Sequence, residues 1–232
     1  MAKLLIDTRY SANSDAWPRM YLYGGWRLGK HTKTEVQSLA NDHPFRLPAI
    51  LNIEHWPLPE HIGKYIDIVN WWREIRPDVR VGYYSMLPYR NYWAPVLWSL
   101  NQRNSMEAWK AANQLLRPLA EVVDFVCPSL YTFYEDGQSG PDYSHDDLWE
   151  VYARANIDEA RKYNKQVYPF IWPRFHISNQ LVGLQYIGDE LLRRQIRVCV
   201  EHADGCIVWD DPSIDKGDGV LTKTSAIMRE FT

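Results

Sequence analysis

The residues best suited to chemistry sit in the third apolar run of the chain, Ala-Ile-Leu-Asn-Ile-Glu-His-Trp-Pro at 49–57. Side chains of an extended chain alternate faces, so Asn52 and Glu54 share one. Trp56 follows on that face if the extension continues. Ile50 lies deeper on it, while Leu51 and Ile53 point the other way. A carboxyl flanked by an amide and an indole makes a good general acid. Apolar surroundings raise its pKa by desolvation and keep it protonated near neutral pH. The amide two residues earlier can hold its orientation without adding a charge. The structural alternative is a buried glutamate paired with an arginine from the next strand.

Other apolar runs also end in polar and aromatic residues. The run at 19–26 closes on a Gly-Gly turn and Trp26. Gly-Tyr-Tyr-Ser at 82–85 sends Tyr83 and Tyr84 to opposite faces, and Tyr89, Arg90, Tyr92 and Trp93 follow in the next loop. The run at 124–131 ends at Tyr131, with Glu135 beyond. The run at 166–172 ends at Trp172, followed by Arg174 and His176. The last run ends at Trp209, Asp210 and Asp211. These are candidate contacts for a ligand, and the residue count suggests its kind. There are 11 Trp and 15 Tyr against 6 Phe. Trp and Tyr join a flat apolar face to a hydrogen-bonding edge, which suits stacking on sugar rings. Helical tryptophans such as Trp71, Trp72, Trp98, Trp109 and Trp149 are instead expected to fill gaps between elements.

Other chemistries find less support. The seven histidines are scattered, without an HExxH pattern. Asp210, Asp211 and Asp215 read as a solvated acidic loop, so no metal site is expected. There is no GxSxG nucleophile elbow and no GxGxxG phosphate loop, and no cofactor is expected. Cys127, Cys199 and Cys206 lack CxxC spacing and read as buried free thiols. A net charge of -3 gives no footprint for nucleic acid. No window approaches 18 consecutive apolar residues, so no membrane span is expected. The first residues read as a strand rather than a signal peptide. The lack of a disulfide framework fits a bacterial, phage or intracellular setting.

The elements that must position these residues alternate. Strands are expected at 3–9, 19–26, 49–54, 79–85, 124–131, 166–172 and 205–209. Helices are expected at 31–41, 59–75, 105–122, 146–164, 189–202 and 224–231. Thr32 with Glu35 three residues on forms a capping box. Pro118 should kink the third helix, and Pro128 interrupts the fifth strand. Such an order argues for a parallel sheet with helices outside it. Functional side chains at the strands' C-terminal ends are the habit of a (β/α) barrel. The expectation is one α/β domain over 1–232, a TIM-like barrel, seven-stranded or distorted.

With these residues in place, the chain resembles the hyaluronidase family of glycoside hydrolases. That family carries a DxE pair followed by an acidic residue, Trp, Arg and Pro, where this chain has Asn52-Ile53-Glu54-His55-Trp56-Pro57. Its Gly-aromatic-Tyr-Gly element is similar to Gly82-Tyr83-Tyr84-Ser85, and its Pro-Ser-Ile-Tyr to Pro128-Ser129-Leu130-Tyr131. The last strand is similar at Gly205-Cys206-Ile207-Val208-Trp209. Arg-Ala-Asn-Ile-Asp-Glu-Ala-Arg at 154–161 and Tyr168-Pro169-Phe170 fall between them in the right order. The resemblance spans 49–210 and implies a distorted seven-stranded barrel. It implies that Glu54 is the general acid/base and that Tyr131 holds the substrate's acetamido group, whose carbonyl oxygen is the internal nucleophile. Tyr84 would be a second tyrosine of the site, and Trp209 the aromatic floor under the sugar. The departures are Asn52 for the aspartate, His55 for the acidic residue, no Arg after Trp56, no matching cysteines and shortened first strands. Hyaluronan therefore does not follow as the substrate.

The leading expectation is a glycosidase with Glu54 as acid/base, Asn52 and Tyr131 beside it, and Tyr84, Trp56, Trp209, Trp172, Arg174, Asp210 and Trp26 binding a carbohydrate. Catalysis would be either substrate-assisted on an N-acetylhexosamine or run by two carboxylates, with Asp210, Asp211, Glu135 or Asp7 as the second. Two carboxyl groups about 5–5.5 Å apart would give retention, and about 6.5–9.5 Å inversion. The second expectation is a non-catalytic glycan-binding barrel, since Asn52 replaces an acid and fold does not imply function. An isomerase or aldolase ranks third, because Lys165 precedes its strand and so lies at the wrong end.

Overall fold

The computed structural model describes residues 3–7, 19–24, 30–44, 47–102, 105–136, 144–210 and 217–231. The chain opens with β1 (Lys3–Asp7), β2 (Arg19–Tyr23), α1 (Lys33–Asn41), β3 (Ala49–Leu51), α2 (Ile62–Ile75) and β4 (Val81–Tyr83). Helices α3 (Trp93–Ser99), α4 (Met106–Gln114) and α5 (Arg117–Val122) then precede β5 (Phe125–Val126). After these come α6 (His145–Arg161), β6 (Gln166–Val167), β7 (Phe170–Ile171), α7 (Asp189–His202), β8 (Gly205–Val208) and α8 (Val220–Arg229).

Every strand pair among these is parallel, so the α/β class with a parallel sheet is the one that forms. Six strands run in the order β4-β3-β2-β1-β8-β7, and β5 pairs with β6 apart from them. The barrel expected from the sequence is not drawn as a closed ladder among the described residues. Its strands are short, and two causes lie in the sequence. Pro169 has no N–H to donate, so the run at 166–172 splits into β6 and β7. β6 pairs with β5, and β7 pairs with β8. Pro128 likewise stops β5 early. Between β4 and β5 a single bridge joins Tyr84 to Cys127, and the Asp124 N–H donates to the Val81 carbonyl at 2.8 Å. Gly82 is required at this seam. A Cβ there would lie 2.4 Å from the Phe125 ring and 2.8 Å from its carbonyl oxygen.

The helices follow their local signals. Thr32 and Glu35 form the expected capping box, each side chain accepting from the other residue's N–H. The single helix expected over 105–122 is two. A proline at 118 cannot donate to the Gln114 carbonyl and its ring clashes with it, so α4 ends at Gln114 and Pro118 sits in the first turn of α5. Helix α3 was not foreseen, because its seven residues are too few for a clear period.

Alternation in the strands divides the core in two. Ile50 joins Met20, Phe125, Phe170 and Ile207 in an inner cluster that Tyr84, Tyr131 and Trp172 cover. Leu51 and Ile53 belong to the outer layer, packed against helical residues such as Tyr65, Val69 and Trp72. Each fully buried aliphatic side chain contributes roughly 1.5–3 kcal/mol. Trp72, Trp109 and Trp149 are buried as expected, but Trp98 is 57% exposed. All three cysteines are buried free thiols. The Asp124 carboxylate accepts the first N–H of β4, and Asp204 accepts the Val167 N–H of β6. They satisfy strand starts at the end of the sheet away from the aromatic mouth.

Candidate active site

At the strands' C-terminal ends the side chains converge on a cleft of about 390 Å³. Leu22, Asn52, Glu54, Tyr84, Arg90, Tyr131, Trp172, His176, Ile177 and Trp209 line it. A second hollow of about 240 Å³ adjoins it, lined by Glu54, Trp56, Pro57, Leu58, Ser85, Met86, Tyr89 and Arg90. Glu54 and Arg90 belong to both and stand at the waist.

The alternation read from the sequence delivers Asn52 and Glu54 to the cleft and Ile53 to the core, although β3 itself stops at Leu51. Glu54 is exposed and makes no ion pair or hydrogen bond among the described residues. The burial expected around it is therefore absent in the open cleft. Nor does the Asn52 amide orient it: Asn52 Oδ1 is buried with no hydrogen-bond partner among the described residues. The backbone is held instead. Tyr65, fully buried on α2, donates to the Trp56 carbonyl at 2.8 Å and lies 3.3 Å from the Ile53 carbonyl. One phenol thus clamps both flanks of Glu54. Burial pushes the Tyr65 hydroxyl up to about 12, so it remains a donor.

Across the cleft, Tyr131 stacks on Trp209 with centroids 5.9 Å apart and planes at 19°. Trp172 meets Trp209 at 5.0 Å and 62°, which closes an aromatic corner. Tyr84 donates to Ser129 Oγ at 3.1 Å, and burial pushes its hydroxyl up to about 12. Arg90 lies 4.9 Å over the Phe133 ring and has no carboxylate partner among the described residues. His176 lies at the edge of the corner, its Nδ1 2.7 Å from Ser178 Oγ.

Not every expected residue reaches the cleft. Arg174 and Asp210 are each 2% exposed and bind one another, with Arg174 Nε 3.1 Å from both carboxylate oxygens. Trp172 Nε1 donates to the same carboxylate at 2.6 Å, and Arg174 also pairs with Asp218. Their charges are spent on one another, so they support Trp172 rather than line the cleft. Asp210 is therefore not poised as a second catalytic carboxylate. Trp26, Asp211 and Asp215 lie outside the described residues. Tyr65 was not singled out from the sequence, and Arg90 and His176 stood only among the general candidates for ligand contact. Arg90 stood in an aromatic loop of undefined direction, and Tyr65 matched an ordinary helix-core position.

His176 carries a pH signature. Burial and Arg90 push its imidazole down to about 4. An unfolded chain protonates it near 6.5, so the unfolded state holds more protons between pH 6.5 and about 4. Stability contributed by neutral His176 is thus present above pH 6.5 and is lost as pH falls through that window. His176→Asn is expected to flatten the fall of Tm across it, as read by thermal melts at stepped pH.

No family model and no curated protein sequence matches the chain. Solved structures do. Bee venom hyaluronidase in complex with a hyaluronic acid tetramer superposes with a TM-score of 0.58 at 17% identity, over 86% of this chain and 73% of that one. A monoclinic crystal structure of bee venom hyaluronidase gives 0.53 at 17% identity, over 93% and 68%. The chain shares its fold with bee venom hyaluronidase. At this identity the likeness to the hyaluronidase is one of fold alone. No helix among the described residues is long and apolar enough to cross a membrane.

Proposed function

We propose that the chain is a glycoside hydrolase that uses Glu54 as general acid/base on a sugar carrying a 2-acetamido group. The observation that carries this reading is the place of Glu54, a carboxyl group without an ion-pair partner among the described residues, at the waist of a cleft walled by Tyr131, Trp172 and Trp209. A pyranose stacked in that corner puts its glycosidic oxygen toward Glu54. Glu54 gives its proton to that oxygen as the C1–O bond breaks. Among the residues whose side chains are described, Glu54 is the one carboxylate lining the cleft, which favours a nucleophile from the substrate itself. The acetamido oxygen attacks C1 and forms a cyclic oxazolinium ion. In this reading Tyr131, which lines the cleft beside Tyr84, holds the acetamido group. Water then opens the ring, giving its proton to Glu54, with net retention at C1. This is one of the exceptions to the two-carboxylate scheme.

The test compares matched aryl glycosides with a 2-acetamido or a 2-hydroxyl group. Turnover of the first, with the second slower by about 10²-fold or more, is the expected outcome, since an internal nucleophile acts at high effective molarity. Equal rates on both would overturn the substrate-assisted step. Binding of the N-acetylated sugar with no turnover at all would favour the glycan-binding reading, for which Asn52 in place of an acid is the supporting feature.

A further inference from the structure

The hollow beside Glu54 does not end at Tyr89. It continues into an apolar trough of about 260 Å³ lined by Leu58, Pro59, Tyr89, Ala112 and Leu116. Leu58 and Tyr89 line both, so the trough is an extension of the cleft on the side away from the aromatic corner. Its lining is unlike that of a sugar subsite. A pyranose presents hydroxyls that need partners when covered. Four of these five side chains are aliphatic, and the Tyr89 hydroxyl is the one polar side-chain group among them.

Tyr89 is also held open. The residue is 53% exposed, yet its backbone is fixed from both sides by α4. The Tyr89 N–H donates to Asn113 Oδ1 at 2.9 Å, and its carbonyl accepts from Trp109 Nε1 at 2.6 Å. Both partners are buried, at 1% and 4% exposure. An exposed residue on a backbone clamped by two buried side chains is a preorganised wall, which lowers the cost of ordering on binding.

We propose that the trough binds an apolar aglycone, so that the substrate is an amphiphilic glycoside whose sugar occupies the aromatic corner and whose alkyl portion lies along Tyr89. This rests on the glycosidase reading, because Glu54 at the waist divides the sugar side from the leaving-group side. The leaving group departs as an alcohol after taking the Glu54 proton, and the trough holds its chain.

The experiment uses methyl, butyl and octyl glycosides of N-acetylglucosamine below micelle-forming concentrations, with kcat/KM and calorimetric affinity for each. Each methylene that enters the trough is expected to raise kcat/KM by up to about fourfold. Ala112 is an exposed helix position, and Ala112→Glu places a charge in the trough. This variant is expected to abolish the dependence on chain length, with Tm checking that it folds. Equal kcat/KM for methyl and octyl glycosides would overturn the trough assignment while leaving the hydrolase reading intact. Tighter binding of the octyl compound without turnover, lost in Ala112→Glu, would support the trough and count against the hydrolase. No turnover with equal affinities would overturn the assignment.

Discussion

Replacing Glu54 by glutamine is expected to lower kcat by about 10²–10⁴-fold with KM little changed. Glutamine keeps the size and the polar surface of the side chain but cannot donate an acidic proton to the leaving oxygen or take one from water. Glu54 makes no ion pair or hydrogen bond among the described residues, so the exchange removes no structural partner. The backbone on either side stays clamped by Tyr65, and Tm should change little. The aromatic corner proposed to hold the sugar is formed by other residues and is left in place. Steady-state kinetics on the N-acetylated aryl glycoside, with affinity measured on the same preparation, checks the split. Loss of affinity in step with kcat would assign Glu54 to binding instead.

The largest effect on stability is expected at Asp210. Asp210→Ala removes the buried carboxylate that faces Arg174 from both oxygens and accepts the Trp172 indole N–H. Breaking a buried pair costs about 3–5 kcal/mol because the remaining charge stays desolvated. Asp218 still reaches Arg174, which favours the lower end, about 3 kcal/mol. For a chain of this size that is a fall in Tm of about 6–12 °C. Calorimetric melts test it, with Asp218→Ala as the comparison. The Asp218 side chain is 40% exposed, so water replaces it more cheaply and a smaller shift is expected. Equal shifts in the two variants would contradict the assignment of Asp210 as the buried anchor of this network.

The placement of the strand-end residues was legible because strand alternation is strict. Reading Asn52 and Glu54 on one face and Leu51 and Ile53 on the other needed only the period of two, and the two cluster assignments follow it. The α/β alternation was legible for the same reason, from apolar runs separated by helical periods. Strand length was not. Pro128 and Pro169 were visible, yet how much ladder each removes depends on which neighbour loses a hydrogen bond. The charges at Arg174 and Asp210 misled, because spacing along one strand says nothing about a partner on the next. Those two residues come from different strand ends and neutralise each other below the cleft. The place of Arg90 at the waist and the role of Tyr65 were hidden for a related reason. One depends on the direction of a loop, and the other on a hydroxyl reaching two carbonyls nine and twelve residues before it.

The most direct test of the central claim, that the cleft at Glu54 cleaves glycosidic bonds with the substrate's own acetamido group as nucleophile, is a proton NMR time course of wild-type protein with an N-acetylated glycoside. The anomeric proton of the first-formed product reports both cleavage and stereochemistry before mutarotation mixes the anomers. A new reducing end with the substrate's own anomeric configuration is the expected result. An inverted first product, or no new reducing end with any N-acetylated glycoside, would contradict it.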